Sequence, residues 1–140
     1  MKLHAKKLHP DARIPSFAHV GDAGLDLYTP ETISLAPGER KSISTGIALE
    51  IPEGYVGLIW DKSGLSHKHG IKTLGGVIDS GYRGEIGVGV VNLSDETYVF
   101  EKGHKVCQLL IQPVAHPEIV EVADLSETAR GVGGFGSTGK

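Results

Sequence analysis

Ile47-Ala48-Leu49-Glu50-Ile51-Pro52-Glu53-Gly54-Tyr55-Val56-Gly57-Leu58-Ile59-Trp60 is the stretch whose reading decides the fold class. In its first five residues the large apolar side chains fall at every second position, the period of a half-buried strand. Pro52 and Gly54 then supply turn chemistry, and a second apolar run starts at Tyr55. The same grammar repeats on both sides. Upstream, Thr32-Ile33-Ser34-Leu35 runs into Ala36-Pro37-Gly38-Glu39, where Pro then Gly suits the centre of a type II turn. Downstream, Ile86, Val88 and Val90 alternate with Gly87, Gly89 and Val91. Lys102-Gly103 separates Tyr98-Val99-Phe100 from an apolar run over 106–111, and residues 119–122 form a further short apolar stretch after Pro117. Period-two segments punctuated in this way predict an all-β sandwich or barrel. One short helix is expected over 63–69, with Ser63 as its N-cap.

Composition narrows the class further. Glycine fills 20 of 140 positions, about twice the usual ~7% share, which disfavours a helical bundle. With 39% apolar and 22% charged residues the chain suits a globular fold, and no apolar run reaches the ~18 residues of a membrane helix. The basic N-terminal residues lack the apolar stretch of a signal peptide, so the expected compartment is the cytoplasm. A net charge of −3 argues against broad nucleic-acid binding, and a single cysteine, Cys107, excludes an internal disulfide. Gly87 and Gly89 leave room on one strand face for a close neighbour, so an oligomer is expected. One domain is read over 1–124, with a flexible Gly-rich arm over 125–140 belonging to it.

Five segments have chemistry to offer. The most unusual is Arg130-Gly131-Val132-Gly133-Gly134-Phe135-Gly136-Ser137-Thr138-Gly139-Lys140. Its glycines let backbone N–H groups converge on an anion, and Arg130, Ser137, Thr138 and Lys140 add charge and donors. A bare Gly-rich terminus is ordinarily just solvated. Phe135 tips the reading toward an arm that closes on a ligand offering a base to stack on. The G-x-G-x-x-G match at 131–136 has no following helix and is a coincidence of composition. In Gly75-Gly76-Val77-Ile78-Asp79-Ser80-Gly81-Tyr82-Arg83-Gly84-Glu85, Asp79 follows aliphatic residues at a turn, where partial desolvation would make it a better base. Asp79-Ser80-Gly81 also matches the triplet of dimeric aspartic proteases, although Tyr82 stands where those have alanine. Asp22-Ala23-Gly24-Leu25-Asp26-Leu27 reads as an acidic turn entering a strand. Asp61-Lys62-Ser63-Gly64-Leu65-Ser66-His67-Lys68-His69 reads as a basic turn whose histidine pair has no third metal ligand nearby. Gln108, inside an apolar strand, needs a partner for its amide, either structural or a ligand.

Together, in this order and at these intervals, the five segments resemble the motifs of the trimeric dUTPases over about residues 22–140. The resemblance implies a distorted jelly-roll-like β-barrel, a homotrimer with active sites at subunit boundaries, and Mg²⁺-dependent hydrolysis of dUTP to dUMP and pyrophosphate. That reaction would clear dUTP from the nucleotide pool and supply dUMP for dTMP synthesis. It implies Asp79 as the base that activates water for attack on the α-phosphorus. It implies Asp26 as a carboxylate that holds Mg²⁺ through water, with the metal bound mainly by substrate phosphates. Ser63 and Gln108 resemble α-phosphate contacts, with Lys62 and Gly64 in the same phosphate segment. Arg130, Gly136, Ser137 and Thr138 resemble the γ-phosphate clamp, and Phe135 the lid over uracil. Tyr82 resembles the residue packed on deoxyribose, and the turn containing Thr73, Gly76, Val77 and Ile78 the reader of uracil. Neither nucleic acid nor membrane is an implied partner. A dCTP deaminase, the rival on the same fold, would need an acid near Gly89. Three positions depart from the common pattern: Lys62 stands for arginine, Asp61 for proline and Thr73 for asparagine. Asp61, adjacent to Lys62, is expected to pair with it.

Overall fold

A computed structural model describes residues 1–134. Along the chain lie β1 (His4–Lys7), β2 (Leu25–Tyr28), β3 (Ile33–Leu35), β4 (Arg40–Glu50) and β5 (Tyr55–Trp60). Helix α1 (Ser63–His69) follows, then β6 (Ile71–Leu74), β7 (Val77–Ile78), β8 (Glu85–Asn92), β9 (Tyr98–Phe100) and β10 (Lys105–Pro113). Two four-stranded sheets result, ordered β1-β4-β8-β6 and β2-β10-β5-β7, with β3-β9 as a separate ribbon. The class is therefore all-β and jelly-roll-like, as expected. The described sheets stay open and do not close into a barrel, because β1, β6, β2 and β7 each have a neighbour on one side only.

Alternation drives the packing. Along β8, Ile86, Val88, Val90 and Asn92 are buried while Glu85 and Gly87 face outward. They meet Ile43, Ile47 and Leu49 of β4 and, from the other sheet, Leu27, Ile59, Val106 and Leu109 in a single core. Strict alternation fails in β4, where residues 45–49 are all buried. The register with β8 shifts between Ser44 and Ala48, and Gly46 takes φ +65°. A Cβ at Gly46 would lie 2.7 Å from the His9 Cβ and 2.8 Å from that of Ala12, so the bulge lets the 9–12 segment press onto β4. Ala48 is covered because it sits in register between Lys6 and Glu85.

Three local expectations change. Gly87 and Gly89 are approached from within the chain: a Cβ would lie 3.0 Å from Ser42 Oγ and 3.0 Å from the Leu74 carbonyl oxygen, respectively. Their space is thus taken by neighbouring strands and does not of itself imply a second copy. Residues 119–122 form no strand, and Ile119 is 87% exposed. Pro113 and Pro117 interrupt the donor row there, and none of the described edge strands pairs with these residues. The helix is capped by Lys62, in extended conformation and without a side-chain cap bond, so Ser63 is the first helical residue. Gly70, at φ +64°, ends the helix in the left-handed conformation that glycine adopts freely.

Candidate active site

The polar cluster is built where β2, β10 and the end of β5 meet. Asp26 lies in register with Gln108, and Gln108 with Trp60, so the chain leaving β5 passes beside both. Asp26 is 2% exposed. Lys62 Nζ donates to its Oδ1, and Lys105 Nζ lies 2.6 Å from Oδ2. Burial pushes this carboxyl up, but the ammonium groups of Lys105 and Lys62 outweigh it and hold it below the ordinary carboxylate range. Lys105 is raised in turn, chiefly by its bond to Asp26. Sequence reasoning missed Lys105; a basic residue three positions before Gln108 on the same strand was the available signal.

Gln108 is held from two sides. Its Nε2 donates to the Asp61 carbonyl at 2.8 Å. A Cβ at Gly24 would fall 2.5 Å from Gln108 Oε1 and 3.0 Å from its Cβ, so the glycine of the Asp22–Asp26 motif is the floor on which this side chain lies. Ser63 and Gly64 are exposed at the start of α1, next to Lys62. Asp26, Lys62, Ser63, Gly64 and Gln108, read from three separate segments, are thereby brought together.

Asp61 does not pair with Lys62, contrary to expectation. Its Oδ1 accepts the backbone N–H and the hydroxyl of Thr73, both at 2.7 Å, and its Oδ2 accepts Lys72 Nζ at 2.7 Å. Burial raises this carboxyl, and Lys72 with the two Thr73 donors more than offsets the effect, holding it below its ordinary value. The nearer cation is already engaged by Asp26, and the edge of β6 offers Asp61 donors in better supply.

Past Thr73 the chain changes sheets: β6 pairs with β8 and β7 with β5. Gly75 at φ +69° and Gly76 at φ +115° make the crossing. A Cβ at Gly76 would lie 2.7 Å from that of Ile59, and the Gly76 carbonyl accepts the Ile59 N–H at 2.8 Å. Between these strands opens a cavity of about 250 Å³ lined by Leu58, Trp60, Thr73, Gly76 and Val77 among others. Trp60, 54% exposed at its rim, was not singled out as a site residue.

Asp79 is elsewhere. It is exposed, as is Val77 before it, so this chain alone does not provide the desolvation expected of a buried base. Ile78 pairs with Gly57, which sets Asp79 beyond the Gly57 end of β5, whereas Lys62 and Ser63 follow Trp60 at the other end. Continuing that register, Asp79 falls opposite Val56, and the four residues from there to Trp60 span about 13 Å at ~3.3 Å each, so the two groups are not assembled within one chain. Tyr82 folds back over Gly84, where no side chain fits, and its hydroxyl donates to the Glu85 carbonyl at 2.9 Å. Arg83 braces the turn through the carbonyls of Ser80 and Tyr82.

Arg130 donates from Nε to the Gly133 carbonyl at 2.8 Å, a contact within its own turn. Phe135, Gly136, Ser137, Thr138 and Lys140 lie outside the described residues. His69 packs against Tyr98 with ring centroids 4.9 Å apart and the planes tilted by 50°, and no group of three or more His, Cys, Asp or Glu side chains gathers among the described residues. Buried Cys107 has its thiol pushed up to about 12, first by burial.

Fold and cluster together define a class: jelly-roll-like β proteins with a glycine-lined cavity at a sheet crossing and a lysine–serine–glutamine group beside it. A family model described as dUTPase matches residues 11–139. A deoxyuridine 5'-triphosphate nucleotidohydrolase of Nautilia profundicola is 50% identical, each chain covered in full, and one of Thermobifida fusca is 46% identical over 99% of this chain and 79% of that protein. The solved structure of the Staphylococcus bacteriophage 80alpha dUTPase with dUPNHPP superposes with a TM-score of 0.94 at 35% identity, 99% of each chain covered. A variant of the dUTPase from phage phi11 of S. aureus, in which coordination of a structural Mg(II) ion was described, gives 0.83 at 33% identity over 89% of this chain and 98% of that one. The chain belongs to the dUTPase family.

Proposed function

We propose that the chain hydrolyses dUTP to dUMP and pyrophosphate in the cytoplasm, by attack of water on the α-phosphorus, at sites completed by a second copy in a homotrimer. Asp26, Lys62, Ser63, Gly64 and Gln108 of one copy face the phosphates. Thr73, Gly76, Val77 and Ile78 of another frame the uracil, Tyr82 packs on the deoxyribose, and Asp79 is the base. The observation that carries the reading is the opposite placement of Asp79 and the Lys62 segment on β5. A general base must reach its proton directly or through one water, a distance that a single chain does not bridge here. A copy seated against the Asp79 turn would also supply the missing desolvation.

Mg²⁺ keeps several waters and binds through phosphates more readily than in an all-protein cage. The donor set suits that mode: no group of three His, Cys, Asp or Glu side chains gathers among the described residues, and Asp26 is a lone buried carboxylate whose Oδ2 faces the Lys105 ammonium at 2.6 Å. Asp26 would hold the metal's water shell, and the bound ion would screen the triphosphate's charge. Lys62 then supplies a point charge to the phosphates, and Gln108, locked by Gly24 and the Asp61 carbonyl, is oriented before substrate arrives. The 125–140 arm is proposed to close over the site, with Arg130, Gly136, Ser137 and Thr138 on the γ-phosphate and Phe135 over the base. Closure would exclude water other than the attacking one.

Pyrophosphate release compared across dUTP, dTTP, dCTP and UTP, with and without Mg²⁺, tests the assignment. Release from dUTP with Mg²⁺ is expected, and none from that pair refutes it. Asp79→Asn should lower kcat by about 10²–10⁴, the usual worth of a general base, with the unfolding midpoint unchanged because the side chain makes no described bond.

A further inference from the structure

β6 is the edge strand of its sheet, bonded to β8 on one side only. The Thr73 N–H points away from that partner, and an outward edge N–H ordinarily turns to water or to another chain. Here it meets the Asp61 carboxylate, which takes the Thr73 hydroxyl as well, while Lys72 from the same strand neutralises the remaining oxygen. Thr73 is 8% exposed, so these are sheltered, charge-assisted bonds. The backbone carbonyl of Asp61 simultaneously holds Gln108. One residue, immediately before Lys62, thus joins the edge that leads into the base cavity to the segment that faces phosphate. Both donors of Thr73 are consumed, so toward a ligand Thr73 has only acceptor lone pairs left.

We propose that Asp61 is a positioning residue for base recognition, which through Thr73 sets where the 75–79 turn lies and so shapes the cavity that takes the pyrimidine. The inference rests on the assignment of uracil to that turn. It also accounts for two departures from the family pattern at once: Asp61 and Thr73 form one unit, in which the carboxylate stands where proline is usual and its acceptor face requires the hydroxyl donor of Thr73.

The test uses the full chain and four proteins: wild type, Asp61→Ala, Thr73→Val and the double variant. Asp61→Ala should raise the KM for dUTP about tenfold, the worth of one well-made hydrogen bond to a charged group, with kcat altered less than about threefold. Inhibition by inorganic pyrophosphate should be unchanged, because Gln108 is held by a backbone carbonyl that the substitution retains. Thr73→Val should reproduce the KM effect, and the double variant should add nothing to it. Asp61→Asn, keeping one acceptor for the Thr73 N–H, should recover part of the loss. An unchanged KM in Asp61→Ala, additive single effects, or equal weakening of pyrophosphate inhibition would overturn the proposal. Unfolding midpoints of the same four proteins read the Asp61–Thr73 link without substrate, and additivity there also overturns it. A wild-type chain that releases no pyrophosphate from dUTP would instead defeat the functional assignment, even with the coupling in the unfolding data intact.

Discussion

Replacing Gly24 with alanine adds one methyl group at the point where the structure has least room for it. The new Cβ would stand 2.5 Å from Gln108 Oε1, 3.0 Å from its Cβ and 3.1 Å from its Cδ. Swinging the Gln108 side chain out of the site relieves the contacts at Oε1 and Cδ; the one at Cβ, which no rotation moves, requires the facing backbones of β2 and β10 to part by a few tenths of an ångström. Leaving breaks its 2.8 Å bond to the Asp61 carbonyl. A lost hydrogen bond of this kind costs about 1 kcal/mol, and overpacking in a tight site typically about 1–3 kcal/mol. Some of that strain is relieved by the exit of Gln108, so a net loss of about 2 kcal/mol is expected. For a chain of this length that lowers the unfolding midpoint by roughly 5–10 °C. The activity effect should be larger, since Gln108 is displaced from the phosphates it is proposed to contact: kcat/KM for dUTP should fall by about 10–100-fold, one hydrogen bond to a charged partner. Calorimetry and steady-state kinetics read the two losses. The decisive control is Gly24→Ala in a Gln108→Ala background, where Oε1 and Cδ are gone and only the 3.0 Å contact with Cβ remains. There the added methyl should cost at least about 1 kcal/mol less than in the wild type, since no hydrogen bond is left to lose. If it costs as much as in the wild type, Gly24 is not the floor of Gln108 and the account of that motif is wrong.

Two further outcomes follow from buried groups. Asp26, held below its ordinary value by Lys62 and Lys105, stabilises the fold above the unfolded carboxyl value near pH 4, and that contribution is lost as pH falls through its lower folded value. Asp26→Asn should therefore flatten the acid limb of a stability–pH curve; a limb as steep as that of the wild type would refute the buried ion pairing. Cys107, with a thiol at about 12, should resist iodoacetamide at pH 8 in the folded protein and react stoichiometrically in denaturant. Fast native labelling would show that β10 is less well covered than described.

Much of this fold was legible because alternation and turn residues are local signals. Ile86, Val88 and Val90 announced β8 without help from any other segment, and Pro52 with Gly54 marked the break between β4 and β5. What escaped was long-range. Nothing near Gly46 in sequence reveals that His9 and Ala12 press against it, and residues 119–122 have a strand's composition without a described partner to pair with. The cluster shows the same division. Gln108 stood out by residue type, Asp26, Lys62 and Ser63 only through the resemblance of their segments to the dUTPase motifs, and β2, β5 and β10 bring them together. Asp61 was misassigned because adjacency in sequence suggested Lys62, whereas its carboxylate reaches across to another sheet. The burial expected of Asp79 rested on the aliphatic residues before it, of which Val77 proves exposed and Ile78 only half-buried.

Ile59 belongs at once to the interior and to the wall of the opening between β5 and the Gly75-Gly76 crossing. Ile59 packs directly beneath Gly76, so the position of the crossing that walls the opening follows the bulk of that side chain. Engineering this protein for heat resistance by enlarging Ile59 would narrow the gap, and trimming Ile59 would loosen it. Under the proposed assignment of the base to this opening, thermal robustness and discrimination among pyrimidines share one side chain, and neither is tuned there without disturbing the other.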